Sequence, residues 1–121
     1  FPFNFVSMIK NGYGVDVLEK AKALSMAILG IKSMALTLKG NHESEYYPLA
    51  WYAPIDNIEI ATSAVKYVQR EGVQIVIPPG NLKQLLWAID IVNSNTAFTE
   101  DDLIILKTLA ENNEPLFPLS D

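Results

Sequence analysis

The stretch Met26-Ala27-Ile28-Leu29-Gly30-Ile31 constrains this chain most, because it is apolar throughout and shows no polar alternation. A strand with one face in water alternates. A strand buried on both faces reads as a continuous apolar run, and such strands belong to parallel sheets covered by helices. Val73 to Ile77 is a second short β-branched strand, ended by Pro78-Pro79-Gly80, and the aromatic segment Phe1 to Val6 is compatible with a third. Parallel neighbours need long crossover connections, which are right-handed as a rule.

The intervening sequence supplies those crossovers. Asn11, Gly12 and Gly14 mark a turn. Asp16 then reads as the N-cap of a helix carrying Val17, Leu18, Ala21 and Leu24, with Asp16 and Lys20 an i,i+4 pair. Asp56 and Glu59 have capping-box spacing ahead of Ala61, Ala64, Val65 and Val68, and Gly72 is a natural stop. A third helix carries Leu82, Leu85, Leu86, Ile89 and Val92 on one face, with Trp87 beside that stripe, facing core or a partner. A fourth opens at Thr99, with Asp102 three residues on, and presents Leu103, Leu106, Leu109 and Ala110. The apolar tail Pro115 to Leu119 is expected to be extended and docked.

The order is strand, helix, strand, long loop, helix, strand, helix, helix, which is α/β: three parallel strands with outer helices. Units of this kind occur mostly within doubly wound domains or (β/α)8 TIM barrels, and a barrel takes about 250 residues. The 121 residues would make just under half of one. The opening Phe1-Pro2-Phe3, already apolar and without Met, reads as cut from something longer. The expectation is a single partial domain over 1–121.

Composition narrows the chemistry. Nine Lys and Arg against fourteen Asp and Glu give a net charge of -5, which argues against a nucleic-acid partner. Without cysteine, zinc–thiolate sites, iron–sulfur ligation, disulfides and cysteine nucleophiles are excluded. No apolar run approaches the roughly 18 residues of a membrane span, and no signal segment opens the chain. A soluble, cytoplasmic protein is expected, with no membrane partner.

Lys32 to Pro54 is a long irregular stretch holding Gly40, the one histidine His42, Glu43, Glu45 and an aromatic cluster. Loops of this length in a domain are usually functional or disordered. His42, Glu43 and Glu45 read as a polar loop rather than a metal site, since they lack regular scaffolding. Tyr46, Tyr47, Trp51 and Tyr52 either wall a substrate pocket or pack the loop over the rim of the fold.

Several motifs in register resemble the aldo/keto reductases. Asp16 to Lys32 is similar to that family's helix-then-strand segment ahead of a cofactor-facing loop. Trp51-Tyr52-Ala53-Pro54 looks like the WY-x-P element of one bacterial branch, and Ile77-Pro78-Pro79-Gly80 like the IPPG ending its last barrel strand. Phe98-Thr99-Glu100-Asp101-Asp102-Leu103 resembles the start of its final helix, and Pro115-Leu116-Phe117-Pro118 its closing tail. The resemblance implies the C-terminal portion of a (β/α)8 barrel and an oxidoreductase passing hydride between NADP (or NAD) and a small carbonyl substrate. The family's Asp, Tyr, Lys and His catalytic set comes from the first half of the barrel. Tyr46, Tyr47, Tyr52 and His42 lie in the wrong segment to be that set, so this chain carries no catalytic residue and is inactive alone.

The resemblance also implies cofactor contacts. Lys32 and Ser33 end the middle strand where the family's cofactor loop begins; a lysine snorkelling from a strand end is the plainer reading. Gly80 and Asn81 open the last strand–helix loop, where phosphates meet helix N–H groups, and equally suit a turn with Asn as N-cap. Lys83 would touch a phosphate or stay solvated. Where many members have a Lys-Ser pair, an Arg and an Asn, this chain has Pro79-Gly80, Leu85 and Ile89, so the 2′-phosphate clamp is missing or rebuilt. Weak or no cofactor binding is expected of the chain by itself. The alternative is a non-catalytic half-barrel that self-associates or binds a partner.

Overall fold

The apolar run becomes β1 (Leu29–Ile31), the middle of the principal sheet in the computed structural model, which describes residues 1–40 and 47–119. It pairs in parallel with β4 (Ile75–Ile77), in the register Leu29 to Ile75 and Ile31 to Ile77. On its other side Pro2 forms a parallel bridge with Ile31, and Phe3 N donates to Ile31 O at 2.9 Å. The three segments are thus adjacent and parallel, as expected. The fold is mixed α/β.

Two of these strands are shorter than the sequence suggests. Phe1 to Val6 is not a strand along its length, because Asn4 caps α1 (Phe5–Asn11) and turns Phe5 and Val6 into helix. Asn4 Oδ1 accepts from Ser7 N at 3.1 Å, a local side-chain bond that outweighs the β preference of Phe and Val. Nor is Met26 to Ile31 buried on both faces. Leu29 and Ile31 are exposed and only Gly30 between them is buried. A methyl group on Gly30 would lie 2.7 Å from Val73 Cγ1, so glycine is what lets β1 approach the residue leading into β4.

Helices cover the other face. α2 (Val15–Ala23) starts from Gly14, whose φ of 83° is left-handed, rather than from Asp16, which falls in the first turn. The Asp16–Lys20 pair is not among the ion pairs formed. α3 (Ile58–Glu71) is capped by Asn57, whose Oδ1 accepts from Ile60 N at 3.0 Å, not by Asp56. Gly72 ends it at φ 118°, as expected. Ala61, Ala64, Val65 and Val68 are fully buried, and each valine contributes about 1.5–3 kcal/mol by leaving water. α4 (Leu82–Asn93) buries Gln84, Ala88 and Ile91 and leaves Leu82, Leu85, Leu86 and Ile89 exposed. Trp87 is half-buried against the core. α5 (Glu100–Glu111) has the expected capping box between Thr99 and Asp102 and buries Leu106 and Ala110.

The stretch from Lys32 to Pro54 is less irregular than expected. β2 (Ala35–Leu38) and β3 (Tyr52–Pro54) pair antiparallel into a second small sheet. Ala35 and Tyr52 pack with Leu116 of the tail in a separate cluster, so the tail docks as its composition suggests. His42, Glu43, Glu45 and Tyr46 lie outside the described residues. No helix among the described residues is long and apolar enough to cross a membrane.

Candidate functional site

At the end of β1 the chain reverses sharply. Lys32 adopts a left-handed conformation, φ 67°, and its carbonyl accepts from Ala35 N at 3.1 Å, closing the turn into β2. Asn4 holds this turn from below, with Nδ2 donating to Ala35 O at 2.7 Å and Lys32 O at 3.3 Å. Fixed there, the Lys32 side chain lies over two rings. Its Nζ is 4.0 Å from the centre of Tyr52 and 5.0 Å from that of Trp51. The ring faces attract the ammonium, while partial burial lowers its pKa.

At the end of β4 the chain passes through Pro78-Pro79-Gly80 to Asn81, the N-cap of α4. Asn81 Oδ1 accepts from Lys83 N at 3.0 Å and from Gln84 N at 3.4 Å. The N–H groups that a phosphate would use are therefore partnered by the chain's own side chain. Both strand ends open on one cavity of about 460 Å³, lined by Lys32, residues 47–52, Pro54 and 79–81. Parallel strands bring their carboxyl ends to one rim, which is where open α/β sheets and barrels place ligands.

Lys32, Gly80 and Asn81 are thus brought together, and Ser33 and Lys83 are not. Ser33 is fully buried under the turn, and its Oγ has no hydrogen-bond partner among the described residues. Lys83 turns to Asp56, with Nζ donating to Oδ1 at 2.6 Å, and lies 4.6 Å from the ring centre of Trp87. Tyr47 Oη donates to the same Asp56 oxygen at 3.0 Å. Hydrogen bonds from Lys83 and then Tyr47 hold the Asp56 carboxyl below its usual range. Burial, with Asp56 adding to it, pushes the Tyr47 phenol up to about 12.

Three members of the aromatic cluster, Tyr47, Trp51 and Tyr52, are among the described residues. Tyr47 and Tyr52 are buried in packing and still line the cavity, with the half-exposed Trp51 edge-on to Tyr52 at 5.4 Å. Asp56 is the residue the sequence hid. Its spacing to Glu59 suggests a cap, but Asn57 beside it takes that role and frees the carboxylate to tie Tyr47 to α4. Among the described residues no group of His, Asp and Glu could hold a metal. Comparison with protein-family models, curated proteins and solved structures gives no match for this chain.

Proposed function

We propose that the chain is the cofactor-facing, C-terminal portion of a (β/α)8 barrel of the aldo/keto reductase type. It would serve an NADP- or NAD-dependent oxidoreductase acting on small carbonyl substrates in the cytoplasm. One observation carries this reading: Lys32, Gly80 and Asn81, taken from two separate strand ends, line one cavity at the carboxyl rim of parallel strands. The fit to a nicotinamide dinucleotide is partial. Lys32 offers an ammonium to a phosphate and Gly80 leaves the backbone open, whereas Asn81 already satisfies two N–H groups of α4 and Lys83 pairs with Asp56. When bound, the cofactor supplies hydride; this chain's residues hold and orient it. Titration of NADPH into the chain should give weak, saturable binding that Lys32→Asn removes, with no carbonyl turnover. Binding untouched by Lys32→Asn, or turnover above the uncatalysed rate, would overturn the reading.

The self-associating half-barrel keeps support from a different feature. Leu29, Ile31, Ile75 and Ile77 point to the same side of the β1–β4 pair and are all exposed. Parallel sheets are ordinarily covered on both faces, and an apolar patch of this kind marks a contact surface. On this reading sedimentation shows a dimer that Ile75→Lys dissociates and NADPH leaves unchanged. A monomer at all concentrations refutes it.

A further inference from the structure

The charge inside the cavity is one-sided. Among the described lining residues Lys32 is the only ionised group, and no described carboxylate forms an ion pair with it. Asp56, which bonds to the lining residue Tyr47, is occupied by Lys83 and Tyr47. In a chain of net charge -5, a cation held in a cavity without a counter-ion among the described residues is suited to an anion. The walls add a second requirement. Trp51 is 53% exposed, an unusual surface for so large an apolar ring, and Leu49 and Pro79 continue the apolar wall beside it. A free inorganic anion would leave those walls wet, whereas a ring would cover them.

We infer that this cavity binds a small carboxylate carried on an aromatic ring, the carboxylate paired with the Lys32 ammonium and the ring packed against Trp51. Asn81 in the cavity lining offers a side-chain N–H₂ for a further polar substituent, since its Oδ1 is committed to capping α4. The ligand would replace the hydration that Lys32 loses on partial burial. The inference shares its cavity with the cofactor reading but uses no nicotinamide chemistry, so the two fail separately.

Benzoate, benzamide, cyclohexanecarboxylate and inorganic phosphate test it by titration, with Trp87→Phe leaving Trp51 as the single tryptophan, excited selectively beyond the tyrosine absorption. Benzoate should quench Trp51 saturably and bind at least tenfold more tightly than any of the other three. Lys32→Asn, whose new residue suits the left-handed backbone at this position, should abolish the preference for benzoate over benzamide, and Lys32→Arg should keep it. Equal binding of benzamide overturns the ion pair, and equal binding of cyclohexanecarboxylate or phosphate overturns the ring. Circular dichroism of each variant separates loss of the ligand from loss of the fold. If benzoate behaves as stated while NADPH neither binds nor competes, the cofactor reading fails and this one stands.

Discussion

Replacing Asn4 tests whether the turn presenting Lys32 is held from beneath. Asn4 is fully buried and bonds in two directions. Its Oδ1 caps α1 at Ser7 N, and its Nδ2 reaches Ala35 O at 2.7 Å. Ala35 faces Pro54 across the small sheet, and proline has no N–H to offer, so the Ala35 carbonyl depends on Asn4. In Asn4→Ala the lost cap costs about 1 kcal/mol. The unpaired buried carbonyl costs a further ~2 kcal/mol. Lys32 O keeps its bond from Ala35 N and adds little. The sum is about 3 kcal/mol, a large share of the 5–15 kcal/mol that usually separates folded from unfolded domains. With a urea m-value of about 2 kcal/mol per M, the midpoint should fall by about 1.5 M. Asn4→Ser retains a capping oxygen without the reach to Ala35, so it should recover about 1 kcal/mol of the loss. An alanine variant within about 0.5 kcal/mol of the parent, as for an ordinary surface change, would refute the reasoning. So would a serine variant no better than alanine.

Other substitutions probe the remaining supports. Gly30→Ala should destabilise by roughly 1–3 kcal/mol through its contact with Val73 Cγ1, and a double-mutant cycle with Val73→Ala should show strong coupling; additivity would mean the strands yield instead. In Asp56→Asn the Tyr47 phenol, now at about 12, should titrate lower yet stay above 10, because burial remains when the negative neighbour goes; absorbance at alkaline pH reads this, and an unmoved value refutes the contact. Asp56 itself has a lowered pKa in the folded chain, so its contribution is complete above the ordinary carboxylate range and fades as pH falls through the lowered folded value. Asp56→Asn should therefore flatten that acid-side loss in urea midpoints measured against pH, and an unchanged slope would count against it.

What the sequence disclosed follows the range of the interaction involved. Thr99 with Asp102 and Gly72 at the end of α3 were readable because caps act within one turn, and both stand as read. The parallel pairing of β1 with β4 was readable from apolar runs bounded by turns. Asn4 was not, because its neighbours Phe3, Phe5 and Val6 have strand character and the partner that rewards its burial, Ala35, lies far along the chain. α4 shows the opposite failure. Its apolar residues repeat with helical spacing, but the faces that turn inward carry Gln84, Ala88 and Ile91, and periodicity cannot say which side meets the core. Gln84 is buried because its Nε2 donates to Ile55 O at 2.8 Å, a bond no local pattern announces. In the cavity lining, Lys32, Gly80 and Asn81 follow from the strand ends, whereas the burial of Ser33 and the pairing of Lys83 with Asp56, 27 residues away, have no local signal.

The cavity is held more firmly on one side than on the other. Its base is fixed by three ties of different origin: Asn4 under the Lys32 turn, Tyr52 packed with Ala35 and Leu116, and Tyr47 bonded to Asp56. Lys39 Nζ adds a fourth, donating to Tyr47 O at 3.0 Å. Between Tyr47 and Tyr52 the wall is held more lightly, by Ala50 N donating to Tyr47 O at 3.2 Å and by Trp51 edge-on to Phe117, and Leu49 is 96% exposed. A charged group entering the cavity meets a lysine already positioned, so little ordering of Lys32 is left to oppose binding. An apolar group meets the exposed side chains of Leu49 and Trp51, and covering both would add apolar burial at about 25 cal/mol per Å². For the proposed carboxylate ligand, selectivity for charge would therefore reside in the turn after β1, and the apolar contribution in Leu49 and Trp51 between Tyr47 and Tyr52.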